Sequence, residues 1–287
     1  MSRNNLKDGA FIITAVAVIS FLINYHFLLS KKETQVEESA KKINAILSEN
    51  FEHVEKILSF IGKKIEQDTP DLDLKIIHKI FIQTSEIYGS NNIFSWSLFD
   101  WIDFKGYETV STVFGIRSNP PYLAPERNYF NRSNELWKII FSKAAMGNPS
   151  GVYIIPIGVQ IETKKHPRAG SVGAGINIKK LTNIIESQLD QSIRFMLIDK
   201  KEGRFVFSSY ESAKYSEKIF HGFPQSTGNE NYIYKQEMEV RYPYDILVGY
   251  DSEDFWREVG YSSLLFATQI IGVVACILYM QRKLGQK

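Results

Sequence analysis

A chain of 287 residues with a formal net charge of +2 lacks the clustered positive charge with which nucleic-acid binders neutralise phosphates, so no nucleic-acid partner is expected. Its 1 cysteine, Cys276, excludes an intrachain disulfide, so any folded body must stand on an apolar core alone. No H-E-x-x-H, G-x-x-x-x-G-K or G-x-S-x-G pattern occurs, and the 5 histidines lie apart from one another and from the cysteine, so neither enzyme chemistry, a metal site nor a cofactor is expected.

The first element is an apolar stretch, Gly9 to Leu29, free of Asp, Glu, Lys and Arg. At about 1.5 Å per helical residue, roughly 20 such residues match a hydrocarbon core about 30 Å thick. No small-x-small cleavage site follows it (the exit reads His26-Phe-Leu-Leu-Ser-Lys-Lys32), so residues 9–29 are read as a retained transmembrane helix, with residues 1–8 as a cytoplasmic N-terminus. Asn24 and His26 fall near its outer end, where water still reaches.

A polar segment with a helical period comes next. Val36, Ala40, Ile43, Leu47, Phe51, Val54, Leu58, Ile61 and Ile65 recur at steps of three and four, which predicts an amphipathic helix over 31–67, ended by Asp68-Thr69-Pro70. Its stripe suits either a dimer seam or a face packed on the chain's own sheet. Both roles are expected, with the seam of a homodimer near the membrane. Asp73 to Tyr88 reads as a second helix. Alternation then predicts strands over Ile93–Phe99, Tyr107–Phe114, Gly151–Ile157 and Val172–Ile178. Helices are expected over Asn134–Ala145 and Lys179–Leu189, and the basic run Lys164-Lys-His-Pro-Arg168 reads as a solvated hairpin tip. Gly170-Ser-Val-Gly-Ala-Gly175 reads as a tight turn entering a strand.

The pattern then restarts. Arg194–Ile198 and Arg204–Ser208 form a hairpin around Asp199-Lys-Lys-Glu-Gly203, and Tyr232–Tyr242 and Tyr244–Tyr250 complete a smaller sheet. A helix from Ser252 to Gly260 runs without a break into a second uncharged stretch, residues 262–280, read as a second transmembrane helix. The fold class expected is α+β: a long N-terminal helix and two lobes with antiparallel sheets between two transmembrane helices. Residues 30–261 form the extracytoplasmic body, with a distal lobe at about 70–190 and a proximal lobe at about 191–258. Arg3 and Lys7 precede the first span and Arg282, Lys283 and Lys287 follow the second, which places both termini in the cytoplasm of a plasma (inner) membrane.

These landmarks resemble the double Cache (PAS-like) sensor domains of bacterial sensor histidine kinases, chemoreceptors and diguanylate cyclases. Asp103-Phe-Lys-Gly106 resembles the family's Asp-x-x-Gly hairpin, and Asp199 to Gly203 a second one with a longer turn. Glu126-Arg127-Asn128-Tyr129-Phe130 resembles its Arg-x-aromatic-aromatic motif, and Gly151–Pro156 and Val172–Ile176 its central strands. The resemblance implies that Arg127, Tyr129 and Phe130 line a ligand pocket in the distal lobe. A guanidinium offers a planar fork of donors suited to a carboxylate; pairing of Arg127 with Glu126 is the competing reading. Amino-acid-binding members carry an Asp on a later strand for the ligand ammonium, and its counterpart here is Asn177. A small organic acid or polar ligand is therefore expected rather than a zwitterion, with Tyr153 and Trp96 facing the same cavity or filling core. Gln281 to Lys287 is too short for a kinase, so the output is expected on a separate protein such as a kinase, or lost by truncation from a sensory kinase. The alternative is a non-signalling membrane protein that binds other proteins or assembles an envelope complex.

Overall fold

The computed structural model describes residues 3–88, 96–123, 136–142, 144–146, 153–201, 205–208, 233–250 and 252–284. Helix α1, Arg3–Asp68, is continuous over 66 residues, about 99 Å at 1.5 Å per residue. The apolar stretch and the amphipathic segment are therefore one rod. It ends where Pro70 stops it; Thr69 Oγ1 accepts from Asp73 N at 2.7 Å, and Leu72 takes a left-handed φ of 61°. Helix α2, Leu74–Tyr88, follows and buries Ile77, Ile80 and Phe81.

Strands β1 (Trp96–Asp103), β2 (Glu108–Ser111), β3 (Gly115–Ile116), β4 (Ile139–Phe141), β5 (Ala145–Met146), β6 (Tyr153–Ile161) and β7 (Gly170–Asn177) form the distal sheet. Its order is β3-β2-β1-β7-β6-β4, with β5 also on β6, and every pairing among the described strands is antiparallel. Helix α3, Ile178–Glu186, leads to the proximal sheet of β8 (Ile193–Asp199), β9 (Phe205–Ser208), β10 (Ile233–Glu237) and β11 (Tyr244–Tyr250), in the order β10-β11-β8-β9. Helix α4, Ser252–Leu284, closes the chain. The first sheet spans residues 96–177 and the second residues 193–250.

Three expectations need correction. Asn134–Ala145 is not a helix over its described part: Ile139–Phe141 pairs with Val159–Ile157 of β6, and Ala145 with Ile154. Edge pairing of a β-branched and aromatic run prevailed over a marginal helical period. The glycine run 170–175 is not a turn entering a strand but strand β7 itself. The stripe on α1 is no dimer seam, because every residue of it from Val36 to Ile65 is buried in the chain's own core. Gly62 permits this close approach, since a Cβ there would stand 3.0 Å from both Ile161 and the Trp137 ring.

The hairpin reading holds in detail. Asp103 Oδ1 accepts from Lys105 N and Tyr107 N at 2.9 and 3.0 Å, and Gly106 supplies the positive φ of 93°. In the proximal lobe Asp199 Oδ1 accepts from Lys201 N at 2.9 Å. The two lobes meet through Phe51 of α1, whose ring lies 5.0 Å from Phe141 of the distal sheet and 5.2 Å from Tyr242 of the proximal lobe.

Candidate ligand-binding site

Alternation along a strand sends successive side chains to opposite faces of a sheet. In the distal sheet the inner face is fixed by Phe99 of β1, 6.0 Å from Phe81 of α2. Trp101, Ile155, Ile157, Val159, Val172, Ala174 and Ile176 belong to the same core. The residues between them face away from the helices. Ile102 confirms this, because it clusters separately with Ile140 and Leu123.

Between the Ile102 cluster and Ile154, the outer face is built from small and polar groups. Gly173 and Gly175 of β7 stand opposite Gly158 and Pro156 of β6, and Asp100 of β1 stands opposite Gly173. Ser171 pairs with Ile102 and Gln160, is 0% exposed, and its Oγ has no hydrogen-bond partner. Ser48 Oγ and Thr109 Oγ1 are likewise buried without a hydrogen bond, and what sets Ser171 apart is its place among the glycines of this face. Gly175 keeps the floor low: a Cβ there would stand 2.9 Å from Ile154 Cδ1. At the sheet's edge, Arg117 is held by Glu108 at 3.3 Å and lies 4.0 Å over the Phe114 ring.

Of the residues singled out in the sequence, Arg127, Tyr129 and Phe130 lie outside the described residues, as does the side chain of Trp96, whose backbone pairs with Ile176. Tyr153 is 59% exposed at the start of β6. Asn177 is 8% exposed and caps α3, its Oδ1 accepting from Lys180 N at 3.0 Å. Its carboxamide oxygen therefore satisfies one of the free N–H groups of a helix start. Asp100 and Ser171 were not singled out. The available signal was a carboxylate inside the apolar run Phe99-Asp-Trp-Ile102, whose face becomes known only once β1 is paired with β7.

An open cleft of about 1200 Å³ lies elsewhere, between α1, α4 and the loop before β8, and is lined by charged side chains including Lys31, Glu38 and Glu258. Among the described residues no group of three or more His, Cys, Asp or Glu could hold a metal ion.

No family model matches the chain, and no curated protein matches it. Solved structures do. The extracellular domain of a histidine kinase, rpHK1S-Z16, aligns with a TM-score of 0.59 and 16% identity over 78% of this chain and 96% of that one. The sensory domain of the Campylobacter jejuni chemoreceptor Tlp3 (CcmL), solved with isoleucine bound, gives 0.56 and 12% over 81% and 97%. An extracellular ligand binding receptor from Desulfohalobium retbaense gives 0.54 and 11% over 77% of this chain, which spans 40% of that one. The chain has the fold of these extracellular sensory domains, a double Cache-like architecture.

Proposed function

We propose that this chain is a membrane-anchored sensor that binds a small carboxylate-bearing ligand on the outer face of the distal sheet. The observation that carries the reading is the contrast across that sheet. Its inner face is a continuous apolar core, whereas its outer face combines glycines with a buried, unpartnered Ser171 hydroxyl and the Asp100 carboxylate. Arg127, Tyr129 and Phe130, from the sequence motif, supply the carboxylate grip and aromatic walls. Asp100 also lies on this face, and amino acids join simple organic acids as the ligand class proposed. Chemoreceptor domains of this fold have been solved with isoleucine, valine and norvaline.

Anchoring rests on α1 and α4. By length and composition, Asp254–Cys276 could cross a membrane, the one such segment among the described residues. Beside it, the apolar stretch of α1 exposes Val18, Ile19, Leu22, Ile23 and Phe27, as α4 exposes Leu264, Leu265, Phe266, Ile271 and Val273. Antiparallel and side by side, both helices enter the bilayer in this reading, with the lobes in the periplasm and the signal passed to an output protein such as a kinase.

The test is a thermal-shift screen of amino acids and organic acids against the detergent-solubilised full chain. A stabilising hit of a few degrees that Arg127→Ala abolishes is expected. Silence across both ligand classes would contradict the site.

A further inference from the structure

Lys32 lies on α1 three residues past the apolar stretch, yet it is only 8% exposed. Its Nζ donates to Ser192 Oγ at 3.2 Å and lies 3.2 Å from Glu258 Oε2. Glu258 is on α4. Ser192 is in the loop between α3 and β8, where its N–H and hydroxyl both donate to Asp190 Oδ1 at 2.8 and 2.6 Å. Those two hydrogen bonds hold the Asp190 carboxyl below its ordinary pKa, with Lys32 and Gln35 adding to the effect. One ammonium thus touches both long helices and the loop leading into a central strand of the proximal sheet.

The neighbouring contacts define what this ammonium adds. Two turns nearer the chain's N-terminus, Asn24 Nδ2 donates to Ser262 and Ser263 Oγ at 2.7 and 3.1 Å, and Tyr25 stacks on Trp256 at 5.7 Å. Those contacts join α1 to α4, and Tyr25 also meets Phe255, which packs on Tyr250 of β11, but none of them touches the α3–β8 loop. Lys42 Nζ donates to Gln188 O at 2.6 Å, which joins α1 to the lobe but not to α4. Arg257 is paired with Asp254 on its own helix, and the open cleft is lined by Lys32, Ser192 and Glu258 themselves together with Lys31 and Glu38.

We propose that Lys32 is a coupling residue, through which displacement of the α3–β8 loop resets the relative position of α1 and α4. The physical reason is that one ammonium, 8% exposed although it lines the open cleft, holds partners on two separate elements: if the loop withdraws Ser192, the ammonium either follows it or exchanges that bond for water while keeping Glu258. Following it drags Glu258, and with it α4, past α1. Strand β8 pairs with both β9 and β11, so the loop moves with the sheet rather than independently of it.

The test uses the full chain with Cys276→Ser and spin labels at Val18→Cys and Ile271→Cys, both exposed positions, measured in detergent and in nanodiscs. Ser192→Ala, which lies on neither helix, is expected to shift or split the interlabel distance by about 1–2 Å. Lys32→Met is expected to do the same and to make Ser192→Ala silent when the two are combined, whereas Lys32→Arg should keep the response to Ser192→Ala. An unchanged distance in Ser192→Ala, or effects that simply add in the double variant, would overturn the coupling. If Lys32→Met fails to fold, the Lys32→Arg and Ser192→Ala comparison still decides. The contacts lie in the polar part of the molecule, so the detergent result stands alone; failure to enter nanodiscs would overturn the anchoring and not the coupling.

Discussion

The distal and proximal lobes are the same sheet used twice. The run β2-β1-β7-β6 in one corresponds to β9-β8-β11-β10 in the other: an opening hairpin whose first strand pairs with the last strand of the lobe. They differ on the face turned away from the main core. In the distal lobe that face carries Asp100, Ser171, Gly173 and Gly175, with a hydroxyl left unpartnered. In the proximal lobe the corresponding positions of β8 and β11 hold Arg194, Met196, Ile198, Leu247 and Gly249, and the buried Asp245 has Oδ2 2.8 Å from Lys235, whereas its Oδ1, 3.8 Å from Lys200, has no hydrogen bond. The proximal face is the bulkier one and pairs its carboxylate with a lysine of the same sheet; the distal face is smaller and carries the hydroxyl on which the proposed site rests.

Filling the distal floor is the most forceful way to break the comparison. Gly175→Leu places a side chain where even a Cβ meets Ile154; overpacking of this kind costs about 1–3 kcal/mol, and ligand binding should be lost altogether. Melting temperature and the ligand screen read the two effects separately. Asp245→Ala tests the opposite lobe. It leaves Lys235, which is half exposed and can turn to water, so a loss of about 1–2 kcal/mol is expected, at the lower end of the cost of breaking a buried polar pair. Ligand binding should be untouched, and a binding defect there would erase the distinction between the lobes.

Ser171→Ala sharpens the comparison because its two consequences have opposite signs. Removing a buried hydroxyl that has no partner should leave the free protein's stability within about 0.5 kcal/mol or raise it slightly. The ligand's contribution should nevertheless fall. The smallest expected effect belongs to the junction below the proximal lobe. The Asp190 carboxyl titrates below its ordinary 3.8, so its contribution to stability is complete above that pH and disappears as the pH falls through the depressed folded value. Asp190→Asn should therefore cost a little stability at neutral pH and nothing in strong acid, a convergence that melting curves across pH would reveal.

Much of this architecture was legible in the sequence wherever a local period sufficed. The α1 stripe, the Asp199 turn and the restart of the strand pattern near Ile193 follow from spacing and turn chemistry, and the Asp103 turn from the resemblance to the sensor family. What spacing could not supply was the partner. The stripe from Val36 to Ile65 is the same whether a second copy or the chain's own sheets cover it, and here the sheets do. Ile139–Phe141 became a strand because β6 offered an edge 15 or more residues later in the chain. The face of Asp100 was hidden for a related reason: slipping the register of β1 by one residue would turn it into the core. Asn177 shows the converse, a residue whose capping role follows from the helix start it precedes but which the family pattern drew toward the ligand.

The central claim is that binding belongs to the outer face of the distal sheet alone. It is tested most directly by titration calorimetry of the strongest screening hit against the full chain and its Gly175→Leu, Ser171→Ala and Asp245→Ala variants. Saturable binding that vanishes in the first, weakens in the second and persists in the third is the predicted result. Equal binding by the wild type and Gly175→Leu, or loss of binding in Asp245→Ala alone, would contradict it.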